Sequence, residues 1–187
     1  RITYTVNSCP ACSHRMSMLP WLAGYSRQVA LVAVEAARLW GLPEIDQTEI
    51  GKAALIHGLG RAAVSNQLWN TAGPLPYGAT ERIHLVPYWT HKASRQITEL
   101  TIPGEIAAHA YERLDGSGYF RGASADAQCA AYRLLASAVA WVALRSARPW
   151  RPAHSESEAA RLLKQDASSG LFDADICAAV IAAAHGE

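Results

Sequence analysis

Charge is scarce in this chain and has almost no preferred sign: 18% of the residues are charged and the formal net charge is +1. Nothing global therefore directs the protein to nucleic acid, a membrane surface or an acidic partner. No apolar run approaches the roughly 18 residues that a membrane-spanning helix requires, and no signal-peptide pattern is present. A cytoplasmic protein is expected. There is no internal repeat and no low-complexity segment, so neither a solenoid nor a disordered linker is indicated.

Cysteine is also sparse, at positions 9, 12, 129 and 177. Cys9-Pro-Ala-Cys12 followed by His14 has the spacing of half a zinc site or of a redox pair. A second CxxC is missing, and a redox pair normally opens a helix after a strand. The reading preferred is two thiols in a loose N-terminal arm. Cys129 and Cys177 lie in Ala-rich helical stretches and are expected to be small core residues. The first residue is Arg1, not methionine, which suggests an excised domain or a processed product.

What is present is apolar surface to bury. Half of the 187 residues are hydrophobic, enough for one domain with a real core. Residues 1–18 lack helical periodicity and are expected to form an arm, with Ile2–Val6 as a short strand or an extended segment. A helical domain is expected over 19–187. From Trp21, the spacing of Val29, Val32, Ala33, Ala36 and Leu39 predicts a helix that Gly41-Leu42-Pro43 ends. Asp46 and Glu49 read as a capping box for a helix through about His57. Thr80 to about Leu100 reads as one long helix kinked by Pro87. A further helix is expected over Gly104–Glu112, then a tight turn at Asp115-Gly116-Ser117-Gly118. Ser124 opens a long Ala-rich helix to about Ser146. Ser155-Glu156-Ser157-Glu158 caps the next helix, which Gly170 closes, and Asp173 caps the last. The expected fold is all-α, a bundle of about seven helices with a short non-helical arm.

Glu112-Arg113-Leu114-Asp115-Gly116-Ser117-Gly118-Tyr119 resembles the turn that gives the HD-GYP family its name. Around it, Gly24–Ala30 resembles the family's first metal-binding helix and Ala53–Arg61 its histidine–aspartate helix end. Trp69-Asn70 through Gly73-Pro74-Leu75 resembles the following loop, and Arg148-Pro149-Trp150-Arg151 the arginine–proline stretch. The resemblance runs from about Trp21 to the C-terminus. It implies a helical domain holding two or three metal ions on imidazoles and carboxylates, where a metal-bound water attacks a phosphodiester.

Read through those motifs, the ligand positions are largely replaced. The histidine expected between Gly24 and Ser26 is Tyr25. His57 is present, but the aspartate after it is Gly58. The histidine before Pro87 is Val86, the adjacent pair before Glu112 is Ala110 and Tyr111, and the aspartate of the long helix is Val139. The lysine that contacts the substrate phosphate is Arg61, which keeps the charge. A relocated site would draw on His84, His91 and His109 with Glu81, Glu112 or Asp115. The preferred reading gives Asp115 to its own turn and pairs Glu112 with an arginine.

The motif run is also similar to HD domains of actinobacterial regulators in which a LuxR-type helix-turn-helix follows. No helix-turn-helix is visible within the chain, so no direct nucleic-acid contact is expected here. The expectation is then a non-catalytic regulatory or sensory domain, part of a transcriptional regulator, without metal or cofactor. A small ligand would occupy the former active site among Tyr25, His57, Arg61, Trp89, Tyr111, Val139 and Trp141. A protein partner at the Gly116–Tyr119 turn is a variant of this reading. The alternative is a metal-dependent phosphohydrolase or phosphodiesterase acting on a cyclic dinucleotide or nucleotide.

Overall fold

The computed structural model describes residues 19–185, and among these the chain is helical, with isolated bridges but no strand. The arm expected over 1–18, its Ile2–Val6 segment and the Cys9, Cys12 and His14 group lie outside the described residues. After a short 3₁₀ turn at Pro20–Leu22 come α1 (Tyr25–Leu39), α2 (Glu44–Ile56) and a second 3₁₀ turn at Leu59–Ala63. A one-turn helix α3 (Asn66–Trp69) leads to α4 (Tyr77–His84), α5 (Val86–Ser94) and α6 (Thr101–Ala107). The long α7 (Ala130–Arg145), α8 (Glu156–Ser168) and α9 (Ala174–His185) complete the bundle.

The helix α1 sits at the centre and packs on α2, α7 and α9, while α6 bridges α2 and α5. Its apolar stripe of Val29, Ala33, Ala36 and Ala37 is fully buried against Ile50, Ala53 and Ala54 of α2 and Leu134, Leu135 and Ala138 of α7. Small residues at these contacts allow close helix axes, and the larger aliphatics fill what remains. The end of α1 is a Schellman motif. Gly41 takes φ +84°, Leu42 N–H donates to Ala37 O at 3.0 Å, and Gly41 N–H donates to Arg38 O at 3.0 Å.

Several boundaries differ from the sequence expectation, each for a local reason. α2 opens at Glu44 behind Pro43, so Asp46 lies inside the first turn and is not its cap. The long helix expected over Thr80–Leu100 is broken at Leu85 into α4 and α5, and Pro87 falls in the first turn of α5, where its missing N–H has no partner to lose. α6 stops at Ala107, and His109 to Glu112 descend through i to i+3 hydrogen bonds instead of an α-helix. The long helix begins at Ala130, after a 3₁₀ turn at Ala125–Ala127. The caps of the last two helices are as expected. Ser155 Oγ accepts Glu158 N–H at 3.2 Å, Gly170 closes α8 at φ +82°, and Asp173 accepts from Asp175 and Ile176 N–H. Cys177 is buried in the core, but Cys129 is exposed at the start of α7.

Candidate functional site

Three chain reversals bring distant segments to one place beside α1. The 3₁₀ turn Leu59–Ala63 is pressed against α5 so closely that a Cβ on Gly60 would sit 2.0 Å from Val86 O. Thr90 locks the contact: its hydroxyl accepts Gly60 N–H at 2.9 Å and donates to His57 O at 3.1 Å. This places His57 and Arg61 on the inner side of the turn.

The second reversal is the glycine turn. Asp115 Oδ1 accepts Ser117 N–H at 2.9 Å, as its place before the glycines implied. Glu112 is fully buried, and its two carboxylate oxygens accept Arg121 N–H at 2.8 Å and Ala123 N–H at 3.0 Å. It therefore ties down the returning segment of the turn and does not form the arginine pair expected from the sequence. Gly118 rides on the Glu112 backbone, 2.4 Å being left for a Cβ. Tyr119 is thereby turned inward, stacked on Tyr111 at 5.2 Å and under His84 at 4.2 Å.

The third reversal, Arg148–Arg151, closes on itself with Arg148 N–H to Arg151 O at 2.7 Å. Arg151 is consumed as a cap for α7, donating to Ala143 O and Leu144 O. Arg148 is left to reach over Trp21 at 4.5 Å and Tyr25 at 4.8 Å.

Between these reversals lies a cavity of about 320 Å³. Four arginines, Arg61, Arg113, Arg148 and Arg151, line it with no carboxylate among the described residues, together with Trp21, Tyr25, Trp69, Tyr111, Tyr119 and Trp150. Arg113 is spent on Glu112 O and the Phe172 ring. Arg61 donates to Tyr111 Oη at 2.8 Å and lies over Tyr25 and Trp69, but its Nε has no partner. Among the described residues, the buried side-chain nitrogens without a hydrogen bond are Arg61 Nε, His57 Nε2 and Trp69 Nε1, and all belong to this neighbourhood. Native interiors rarely leave such groups unpaired.

The ionisation states follow from burial. His57 is wholly enclosed, its ring 5.8 Å from Tyr25 and 6.3 Å from Tyr111. Its Nδ1 meets Ala54 O at 2.6 Å, so that nitrogen carries the proton and Nε2 keeps a bare lone pair. Burial, reinforced by the Arg61 charge, pushes its pKa down to about 3. Burial pushes the Tyr25 and Tyr119 phenols upward, so both stay neutral O–H groups. Tyr25 spends its hydroxyl on Val139 O at 3.1 Å.

Of the residues singled out from the sequence, Tyr25, Arg61, Tyr111 and Val139 line the cavity and His57 lies directly behind it. Trp89 and Trp141 do not. Trp89 packs edge-on against Tyr88 under Lys92, and Trp141 is buried in the core beside a separate small cleft with Gln28 and Glu156. Arg113, Tyr119, Trp150 and the Arg148 side chain were not picked out as site residues. The Arg148-Pro149 and glycine-turn motifs were the signals that held them.

A profile of the HD domain matches residues 15–176. The chain belongs to the HD domain family. This HD domain is 26% identical over 147 residues to the Vibrio cholerae 3'3'-cGAMP-specific phosphodiesterase 3, covering 79% of the chain and 32% of the relative. It is 28% identical over 164 residues to a cyclic di-GMP phosphodiesterase of Pseudomonas aeruginosa, covering 85% of the chain and 39% of the relative. The chain thus spans between 32% and 39% of the length of the curated relatives it matches. In fold it resembles an HDG"Y"P protein from Bdellovibrio bacteriovorus, with a TM-score of 0.71 and 16% identity over 88% of this chain and 53% of that one. The HD domain of the L. monocytogenes phosphodiesterase PgpH matches with a TM-score of 0.63 and 14% identity, covering 95% of this chain and 98% of that one. These relatives overturn the expectation of a non-catalytic regulatory domain within a transcriptional regulator, because the homologues carry phosphodiesterase names.

The family implies metal ions, and the residues here do not fit them. His57 Nε2 is one orphaned imidazole lone pair, but the neighbouring positions are Tyr25, Gly58, Val86, Ala110, Tyr111 and Val139. Aliphatic side chains have no donor atom, and the Tyr25 phenol, kept protonated by burial, is a poor ligand. Among the described residues, no three of His, Cys, Asp and Glu come together. The relocated set does not converge: His84 lies 3.9 Å from Glu81 and stacks on Tyr119, His91 pairs with Glu105, and His109 stacks on Tyr132.

Proposed function

We propose that this domain acts on a cyclic dinucleotide as a phosphodiesterase of the HD family, with the phosphodiester received in the arginine-lined cavity. The observation that carries the reading is a cationic, aromatic, carboxylate-free cavity bounded by the family's own motifs. The names of the sequence relatives support the same class of substrate.

Each side chain has a definite part in this reading. Arg61 and Arg148 offer their guanidinium groups to the non-bridging phosphate oxygens. Trp69 Nε1–H is a third donor. Trp21 and Trp150, edge-on at 6.1 Å where Trp150 is half exposed, offer faces for a base to stack on. Tyr119 and Tyr111 form a stacked wall that excludes water from one side. His57, neutral above a pKa of about 3, serves as a hydrogen-bond acceptor and is too weak a base to deprotonate water at neutral pH. The reading includes departure from the family's metal-ligand pattern, so no hydrolytic step is routed through a metal ion.

Incubation with 3'3'-cGAMP and with cyclic di-GMP, with manganese, with ferrous iron and with no added metal, tests the activity. Anion-exchange chromatography should reveal a linear dinucleotide, and Arg61→Ala should suppress it. Intact cyclic dinucleotide under every condition would overturn the phosphodiesterase reading.

A further inference from the structure

The mismatch between family chemistry and cavity chemistry points to a specific mode of binding. We infer that the phosphodiester is held directly by Arg61 and Arg148, with no divalent ion between protein and phosphate. This rests on the cyclic-dinucleotide reading above and adds to it how the negative charge is met.

Three observations carry it. First, both guanidiniums lie over the Tyr25 ring, at 5.3 Å and 4.8 Å, and both line the same cavity. Neither has a carboxylate partner among the described residues. A divalent cation placed there would be repelled by both, whereas a phosphate would be attracted by both. Second, Arg61 Nε–H and Trp69 Nε1–H are unpaired donors, and donors are satisfied by an acceptor such as a phosphate oxygen, never by a metal ion. Third, burial keeps the Tyr25 and Tyr119 phenols protonated, and the Tyr25 O–H is already committed to Val139 O, so neither supplies an anionic oxygen to recruit a cation. In this arrangement arginine replaces the charge that the family's ions supply.

Isothermal titration of the whole chain with cyclic di-GMP and 3'3'-cGAMP, once with excess EDTA and once with manganese, tests this. The expected result is binding in both buffers with dissociation constants within about threefold of each other. Arg148→Gln and Arg61→Met should each weaken binding by at least about tenfold while circular-dichroism melts show the fold retained. Arg148 is half-buried on a turn, so its replacement keeps the test valid if the Arg61 variant fails to fold. Binding that appears only with manganese overturns the inference and leaves the substrate reading intact. Arginine variants that bind like the parent chain overturn it as well. Absence of binding by the parent chain in both buffers overturns the substrate reading and the inference together.

Discussion

Arg61 and Tyr111, fifty positions apart in the chain, meet in a hydrogen bond of 2.8 Å, yet the same arginine leaves its Nε buried and unpaired. The bond fixes one end of the guanidinium while Nε stays buried without an acceptor. Such an arrangement weakens the free protein, since an unmet buried donor costs on the order of 1–3 kcal/mol.

The first expected outcome follows from that cost. Arg61→Met keeps most of the aliphatic stem between Tyr25 and Trp69 while removing the charge and the unpaired donor. Urea denaturation should find the variant no less stable than the parent chain in the absence of ligand. The parent alone should gain stability when cyclic di-GMP is added. A loss of more than about 2 kcal/mol in the free variant would mean that Arg61 is structural.

How much of this was legible beforehand depended on whether local pattern or distant packing set the outcome. The all-helical fold, the Gly41 and Gly170 stops, the Ser155 cap and the inward stripe of α1 were legible, because spacing and backbone freedom are written locally. Tyr25, Arg61, Tyr111 and Val139 were singled out through motifs flanking the old ligand positions, and the fold brings them to one cavity. The break at Leu85 was missed because Pro87 is compatible both with a kinked helix and with the first turn of a new one. Trp89 and Trp141 were misplaced because helical spacing sets which face a residue shares but not which neighbour covers that face. The spent state of Arg151 and the unpaired Nε of Arg61 are matters of hydrogen-bond accounting that no one-dimensional pattern contains.

Glu112 gives a second outcome. Its carboxylate is the shared acceptor for Arg121 and Ala123 N–H, so it sets the position of the loop that carries Tyr119 into the cavity. Glu112→Ala should destabilise the fold by about 1–3 kcal/mol, as two backbone donors lose their buried acceptor. Glu112→Gln keeps one acceptor oxygen and should cost less. Hydrogen exchange measures the effect at its source, with faster exchange at Arg121 and Ala123 in both variants. Unchanged protection there would show that the loop is held by other contacts.

Gly60 is expected to tolerate no side chain. An alanine Cβ would meet Val86 O at 2.0 Å and Thr90 N at 2.9 Å, both backbone atoms that only a shift of α5 relieves. Gly60→Ala should lower stability by about 1–3 kcal/mol or more. It should also weaken the Thr90 bridge to His57 O, and nuclear magnetic resonance shifts of the His57 and Thr90 amides would report that displacement. A variant with parental stability and parental shifts would mean that the contact between turn and α5 is looser than the geometry drawn here.

His57 provides an outcome whose sign is fixed by its surroundings. Burial first, and the Arg61 charge second, hold its folded-state pKa at about 3, against about 6.5 in an unfolded chain. Above pH 6.5 neither state binds the proton, and the contribution to stability is fully present. As the pH falls below about 6.5, the unfolded chain takes up a proton that the folded chain refuses, so stability declines toward pH 3. His109, whose pKa burial also lowers, adds a slope of the same sign, and carboxylates begin to titrate below about pH 5. The informative window is therefore pH 6.5 to 5, and the informative quantity is the difference between the parent chain and His57→Gln, which retains His109. Over that window the parent should lose on the order of 1–2 kcal/mol more than the variant in urea denaturation. Parallel curves would mean that His57 is hydrated or paired at Nε2 in solution, and that the enclosed cavity back inferred here is open to water.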